Sequence, residues 1–314
     1  MASARIGGRA IATNDDFFAP KANLVKAAPA VFIPGKYTSR GKWMDGWESR
    51  RRRTPGYDWC IVQLGVRGIV RGVDVDTSFF TGNFPTHCSI DALDRVGLLP
   101  RKLYTAAEAP WSVLLAKSAL HGDSHNFFVI ADEVPWTHLR LNIFPDGGVA
   151  RLRVYGDAIV DWNTLARSGR AVDLAAIQHG GMVIDASDMH YGSPNNMLMP
   201  GRAANMGDGW ETKRRRGPGH DWAIVRLGSP GAITKVEIDT NHFKGNYPDR
   251  ASIDGLRASG DWVELLPQTK LRPHHRHVFG NELRAIGTVS RLRLNIYPDG
   301  GVSRFRAYGR IRAD

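Results

Sequence analysis

The sequence predicts an all-β chain of two tandem antiparallel sandwiches of jelly-roll type. Three observations predict it: the chain is written twice, each copy alternates apolar with polar residues, and these stretches stop at glycine- or proline-containing turns. The block Asp45-Gly46-Trp47-Glu48-Ser49-Arg50-Arg51-Arg52-Arg53 recurs as Asp208-Gly209-Trp210-Glu211-Thr212-Lys213-Arg214-Arg215-Arg216, an offset of 163 (208 − 45). The same offset relates Asp58-Trp59 to Asp221-Trp222, Gly82-Asn83-Phe84-Pro85 to Gly245-Asn246-Tyr247-Pro248, and Ser89-Ile90-Asp91 to Ser252-Ile253-Asp254. Downstream, Leu139 to Val149 recurs as Leu292 to Val302 at an offset of 153 (292 − 139), so the first copy carries an extra loop of about ten residues between these blocks. Asp15 to Leu24 resembles Asp188 to Met197 more faintly.

Two domains follow, over 11–157 and 183–310. Between them, over 158–182, the spacing of Leu165, Val172, Leu174 and Ile177 predicts a partly helical linker that Gly180-Gly181 ends. Within each copy, Trp59 to Gly65 and Trp222 to Gly228 alternate and stop at glycine. Ile69 to Asp76 and Ile233 to Asp239 alternate again, as do Leu139 to Phe144 and Leu292 to Tyr297. Pro-Asp-Gly-Gly at 145–148 and 298–301 supplies a turn, with Asp146 and Asp299 expected to bond their own backbone. Arg151 and Arg153, like Arg304 and Arg306, lie two apart on one strand face that is exposed or lines a cleft.

Composition narrows the function. Of 314 residues, 42% are hydrophobic and 23% charged, which suits a packed core. No apolar run approaches the roughly 18 residues of a membrane helix, and the first thirty residues lack the apolar core of a secretory signal, so a cytoplasmic location is expected. Two cysteines, Cys60 and Cys88, exclude a disulfide scaffold and read as reduced, buried thiols. The formal charge of +11 favours an anionic partner, and its sign alone does not choose among nucleic acid, membrane and small anion.

The basic block is the first chemical signal. Four successive cations cannot share one strand face, but in a loop they can converge on an anion, and the planar arginine fork suits a carboxylate. Because the block contains Glu and follows an Asp-Gly turn, it is unlike a nucleic-acid-binding tail, and neither nucleic acid nor membrane is expected as a partner. The two copies differ where the first has Phe17, Tyr57, Phe79 and Thr86 and the second has His190, His220, His242 and Asp249. Histidine is the side chain best suited to proton transfer near neutral pH, so the second copy has the greater acid–base capacity. Cys60 and Cys88 match Ala223 and Ala251, which excludes a duplicated thiol chemistry. His274, His275 and His277 have metal-ligand character, although their contiguous spacing matches no standard site. A divalent metal is thus compatible with the sequence but unsupported, and no cofactor is required.

These motifs resemble the allantoicase family. They are Asp-Gly-Trp-Glu-(Ser/Thr)-(Arg/Lys)-Arg-Arg-Arg, Gly-(Tyr/His)-Asp-Trp, Asp-Thr-x-x-Phe-x-Gly-Asn-(Phe/Tyr)-Pro and Pro-Asp-Gly-Gly-Val-x-Arg-x-Arg-x-Tyr-Gly, in both copies and in order. The resemblance implies two jelly-roll domains of galactose-binding-like type. It also implies a hydrolase acting on linear amidines, which cleaves allantoate into ureidoglycolate and urea in purine and allantoin degradation. It carries no residue roles; these come from the chemistry. Arg214, Arg215 and Arg304 are expected to hold the substrate carboxylate, Glu211, His220 and His242 to transfer protons, and Asn246 to orient a ureido group. Glu48, Arg51, Arg52 and Asn83 form a second candidate site, weaker for want of histidine at the matched positions. Exposed sheet edges make a homo-oligomer the expectation. The rival function is a non-catalytic carbohydrate- or ligand-binding double jelly roll, which predicts sugar binding and no urea.

Overall fold

One long strand of 19 residues organises each half: Asp58–Asp76 in the first and Asp221–Asp239 in the second. The sequence pattern predicts two strands in each stretch. In the computed structural model the two are continuous, because the chain passes from one layer of the sandwich to the other without a turn, through a shift in register between Gln63 and Gly68. The structure describes residues 1–104 and 109–311, and the chain forms two units, Met1–Ile159 and Val160–Asp314.

In the first unit, the beginning of the long strand pairs with Arg9–Thr13 on one side and Pro135–Phe144 on the other. The layer continues through His87–Leu93 to Ser112–Ala119, giving five strands. The end of the long strand lies between Arg151–Ala158 and His125–Val129, giving the facing three. All these pairs are antiparallel, as the jelly roll requires. The second unit repeats the plan with Met182–Ala186, Thr288–Tyr297, Arg250–Leu256 and Trp262–Lys270 in one layer and Arg304–Arg310 and Arg276–Phe279 in the other. Alternation puts Cys60, Val62, Val73 and Val75 inward, with Ile90 and Leu141 facing them from neighbouring strands. Both thiols are free and buried. Burial pushes both upward, Cys88 to about 12, which makes them inert core residues.

Of the stretch over 158–182, residues 160–182 belong to the second unit. Its helix, Trp162–Arg167, is capped by Asp161, which accepts from the Thr164 amide at 2.9 Å. After it, Val172–Asp173 adds a strand beside Arg304–Arg310, and Leu174 and Ala175 are fully buried in that unit's core. Burial of these apolar residues makes the stretch a structural element of the unit. The first unit likewise begins before residue 11, with Ala2 fully buried.

Two insertions distinguish the first unit. The segment between His87–Leu93 and Ser112–Ala119 folds back so that Leu99, Leu103, Tyr104 and Trp111 cover Ile61 and Trp59 on the outer side of the five-stranded layer. In the second unit only residues 257–261 separate the matching strands. The other insertion is a small hairpin, Tyr37–Thr38 with Gly41–Lys42, which has no counterpart among the described residues of the second unit. It accounts for the fall in offset from 173 at Asp15 and Asp188 to 163 at Asp45 and Asp208.

Candidate active site

Each Asp-Gly-Trp-Glu block forms a two-residue strand, Trp47–Glu48 or Trp210–Glu211, paired with the Gly-Gly-Val turn at 148–149 or 301–302. The tryptophans are fully buried, and each indole donates to the carbonyl of the preceding loop, Asp15 or Asp188, at 2.8 Å. With the tryptophan fixed inward, strand alternation turns the adjacent glutamate the other way, to a half-buried position. There Asn83 donates its amide to the Glu48 carboxylate at 2.7 Å, and Asn246 donates to Glu211 in the same way. The asparagine is held by the turn. Gly148 N–H donates to the Asn83 carbonyl at 2.7 Å and Gly301 N–H to the Asn246 carbonyl at 2.8 Å.

Glycine is required beside this pair. Gly300 has φ +130°, and a Cβ there would stand 2.7 Å from the Asn246 carbonyl oxygen. Gly300→Ala is expected to destabilise the second unit by about 1–3 kcal/mol through backbone strain, and to displace Asn246 in addition. Gly260→Ala is the control, since Gly260 also has positive φ but nothing lies within 4 Å. Thermal unfolding should show the larger drop for Gly300→Ala, and equal drops would remove the steric argument.

Burial pushes the Glu48 carboxyl above its ordinary range, against the opposing pull of the Asn83 amide and the Lys42 charge. The copy without histidine at the matched positions therefore contains a glutamate that burial shifts toward its protonated form. Glu48 and Asn83 line a hollow of about 330 Å³ together with Phe18, Lys42, Met44 and Phe79. The arginines line different hollows. Arg50 to Arg53 share one of about 540 Å³ with Asp15 and Asp58, and Lys213 to Arg216 share one of about 360 Å³ with Asp188 and Asp221. In the first unit glutamate and arginines therefore line two hollows instead of one, because the Glu48 side chain and the basic loop after it leave the strand in different directions.

Inside the arginine hollows the cations are partly spent. Arg52 pairs with Asp58 at 2.7 Å, and Arg215 with Asp221. Arg50 pairs with Asp15 at 2.6 Å, and Lys213 with Asp188 at 3.7 Å. Arg51 and Arg214 are exposed and take part in none of these pairs, so they are available to an anion. The turn aspartates hold the basic loop in place. Asp146 accepts from the Arg52 amide at 2.8 Å and Asp299 from the Arg215 amide at 2.7 Å, across the site instead of within their own turns.

Arg304 does not reach a hollow. Its side chain is 5% exposed, and it donates to the carbonyls of Asn196, Gly201, Ser303 and Asp208 and to the Asp208 carboxylate at 2.9 Å. It is a buried tie for the loop over 196–208, and Arg151 ties the matching loop through Asp45 at 2.6 Å and the carbonyls of Ala28 and Pro29. Burial alone would raise Asp45, but hydrogen bonds and charge from Lys26 and Arg151 outweigh it and hold the carboxyl below its ordinary range. A depressed carboxyl stabilises the fold above its unfolded pKa, and this contribution is lost as pH falls through the folded value. Stability measured by denaturant should thus decline below about pH 4, and Asp45→Asn should show a weaker decline than the wild type. Identical acid slopes in the two proteins would contradict this.

The histidines lie in two places. His242, at φ 72°, occupies the position of Phe79, which has φ 69°. Its Nε2 lies 2.9 Å from the Ala203 carbonyl, and its amide donates to His274 Nδ1 at 2.9 Å. Three residues beyond Ala203, Met206 touches Asn246, so the tied loop connects His242 to the Glu211–Asn246 pair. His220 is elsewhere: its Nε2 lies 3.3 Å from Asn295 Oδ1 and its ring packs on Tyr297 at 4.6 Å. Asn295 in turn donates to Ser252 at 3.1 Å and Asp254 at 2.9 Å, and Arg293 pairs with Asp254 at 2.9 Å. The first unit has the same network in Ser89, Asp91, Arg140 and Asn142, with Asn142 Oδ1 unpartnered where Tyr57 replaces histidine. The sequence signal for it was the two-residue spacing of Ser-Ile-Asp and of Arg-Leu-Asn, which puts each pair on one face of adjacent strands.

The His274, His275 and His277 cluster is bound to protein. His277 Nε2 accepts from the Arg272 amide at 2.9 Å while its Nδ1 lies 3.1 Å from the Ile238 carbonyl, and His275 Nε2 meets the Arg272 guanidinium at 2.7 Å. Among the described residues no group of three or more His, Cys, Asp or Glu side chains is placed to hold a metal ion. Likewise no described helix is long and apolar enough to cross a membrane.

The allantoicase repeat family model matches residues 1–159 and 172–312. A probable allantoicase of Burkholderia mallei is 50% identical, covering 99% of this chain and 94% of its own. A probable allantoicase of Ralstonia nicotianae is 48% identical over the same shares. The crystal structure of allantoicase from Saccharomyces cerevisiae superposes with a TM-score of 0.84 at 34% identity, covering 98% of this chain and 92% of that one. With both repeats matched and the fold shared across the full length, this chain belongs to the allantoicase family.

Proposed function

We propose that the allantoicase reaction, hydrolysis of allantoate to ureidoglycolate and urea, takes place at the Glu–Asn pairs, with the arginine hollows attracting the anion. Allantoate carries a carboxylate and two ureido groups on one carbon. Protonating one ureido nitrogen while the other donates electrons breaks the carbon–nitrogen bond and frees urea. Water then adds to the resulting imine carbon and loses a proton to a base. A buried carboxylic acid and a neighbouring base are what this sequence needs. The supporting observation is the recurrence of an asparagine amide on a half-buried glutamate in both units.

In this reading Glu211 and Glu48 donate the proton, Asn246 and Asn83 orient a ureido group, and His242 takes the proton from water in the second unit. Arg214 and Arg51 supply the free cations that draw the carboxylate in, while Arg215 and Arg52 shape the hollow through their aspartates. His220, whose Nε2 faces Asn295, stands apart from the Glu211–Asn246 pair, and its part in this reading is to orient Asn295. Arg304 acts on the site only through the loop it ties. We also propose a cytoplasmic homo-oligomer. Support comes from buried free thiols and from Phe127 and Val129, 69% and 91% exposed on the edge strand His125–Val129.

The test is to incubate the purified chain with allantoate, with and without a chelator, and to measure both products. Equimolar urea and ureidoglycolate are expected. Saturable galactose binding with no urea would favour the rival binding module. Light scattering should give a mass that is a multiple of the monomer, and a monomer would remove the assembly proposal.

A further inference from the structure

We propose that the hairpin Tyr37–Lys42 turns the hollow of the first unit into a separate binding site for a small carboxylate bearing a ureido N–H, clamped between the Lys42 ammonium and the Glu48–Asn83 pair. This rests on the reading of the Glu–Asn pairs as ureido-binding groups, and adds that the two halves bind differently.

Four observations carry it. The hollow, about 330 Å³, is of the size that holds small ligands, and both polar ends of the proposed clamp line it. The hairpin is pinned in place: Lys42 Nζ lies 4.6 Å from the Phe32 ring, and Phe32 stacks on Phe79 at 5.8 Å, with Phe79 forming part of the wall. Lys42 is exposed and makes no ion pair among the described residues; its charge acts on Glu48 through space and over the Phe32 ring, and leaves its ammonium N–H groups to an added carboxylate. Asn83 already spends an amide N–H on Glu48, which leaves its side-chain carbonyl and the second Glu48 oxygen to accept ligand N–H groups.

The second unit lacks this arrangement. It has no hairpin at the matching place, and His242 stands where Phe79 does, with its ring turned to the Ala203 carbonyl. Its Glu–Asn pair is thus flanked by an imidazole where the first unit has an aromatic wall, and its lysine, Lys244, stands at the position of Thr81 instead of on a hairpin. A ureido carboxylate meets a hairpin ammonium at one end and acceptors at the other in the first unit, and this hairpin cation is what sets the two halves apart.

N-carbamoylglycine is the probe, because it has one carboxylate and one ureido group and lacks the second ureido group that leaves as urea. Calorimetric titration of the full chain should give two binding events of unequal affinity. Lys42→Met should weaken one of them at least tenfold and leave the other, and Lys42→Arg should restore it. Glu211→Gln with His242→Asn should affect the other event and not the Lys42-dependent one. Circular dichroism and thermal unfolding verify that each variant is folded. A single class of equal sites, or two events that Lys42→Met leaves unchanged, would overturn the proposal. Loss of urea release in the Glu211 variant, or its persistence, bears on the catalytic reading and is scored separately.

Discussion

Glu211→Gln is expected to lower kcat for urea release from allantoate by about 10²–10⁴-fold, the usual contribution of a positioned acid or base. The amide side chain is isosteric and still offers Asn246 an acceptor, so the fold should be unchanged by circular dichroism. Glu48→Gln makes the same test of the first unit and carries a pH signature. Because Glu48 is held above the ordinary carboxylate range, its acid form persists to higher pH than an exposed glutamate's. Activity that depends on it should fall as pH rises through that raised value, and this alkaline limb should vanish in Glu48→Gln. Rates within threefold of wild type in both single variants and in the double variant would remove the glutamates from the chemistry.

The second large effect is on stability. Arg304→Ala removes, at a side chain only 5% exposed, the donor that the Asp208 carboxylate and four backbone carbonyls share. Breaking a buried pair by removing one partner costs about 3–5 kcal/mol. Arg304→Lys should recover only part of this, since one ammonium cannot satisfy acceptors arranged around a planar fork. Guanidinium unfolding gives the difference directly, and a loss under 1 kcal/mol would show that Arg304 does not tie the loop. In Arg304→Ala protein that remains folded, urea release should also fall, because the same loop meets His242 through Ala203 and Asn246 through Met206.

The fold was legible because both signals that specify it are local or repeated. Alternation fixes which strand residues face the core, and the 163-residue offset shows that the pattern is used twice. What alternation does not show is where a strand changes layers. The stretch Asp58–Asp76 therefore reads as two strands although no turn interrupts it. The site was legible in part. Glu211 with Asn246, and Glu48 with Asn83, come together as their shared presence in each repeat implied. Their separation from the arginines depends on the direction in which a loop leaves a two-residue strand, which composition does not encode. Arg304 illustrates the opposite limit. Its spacing from Arg306 correctly gives a shared strand face, but that face is covered by a loop more than ninety residues away in sequence. Lys42 was invisible because its hairpin exists in one repeat only, so comparison of the copies gives it no partner.

Substrate is expected to react at the Glu–Asn pairs and not among the arginines. A crystal of the Glu48→Gln, Glu211→Gln double variant soaked with allantoate tests it most directly. The account predicts intact allantoate with a ureido group against Asn246 or Asn83. Substrate confined to the hollows lined by Arg50 to Arg53 and by Lys213 to Arg216 would contradict it.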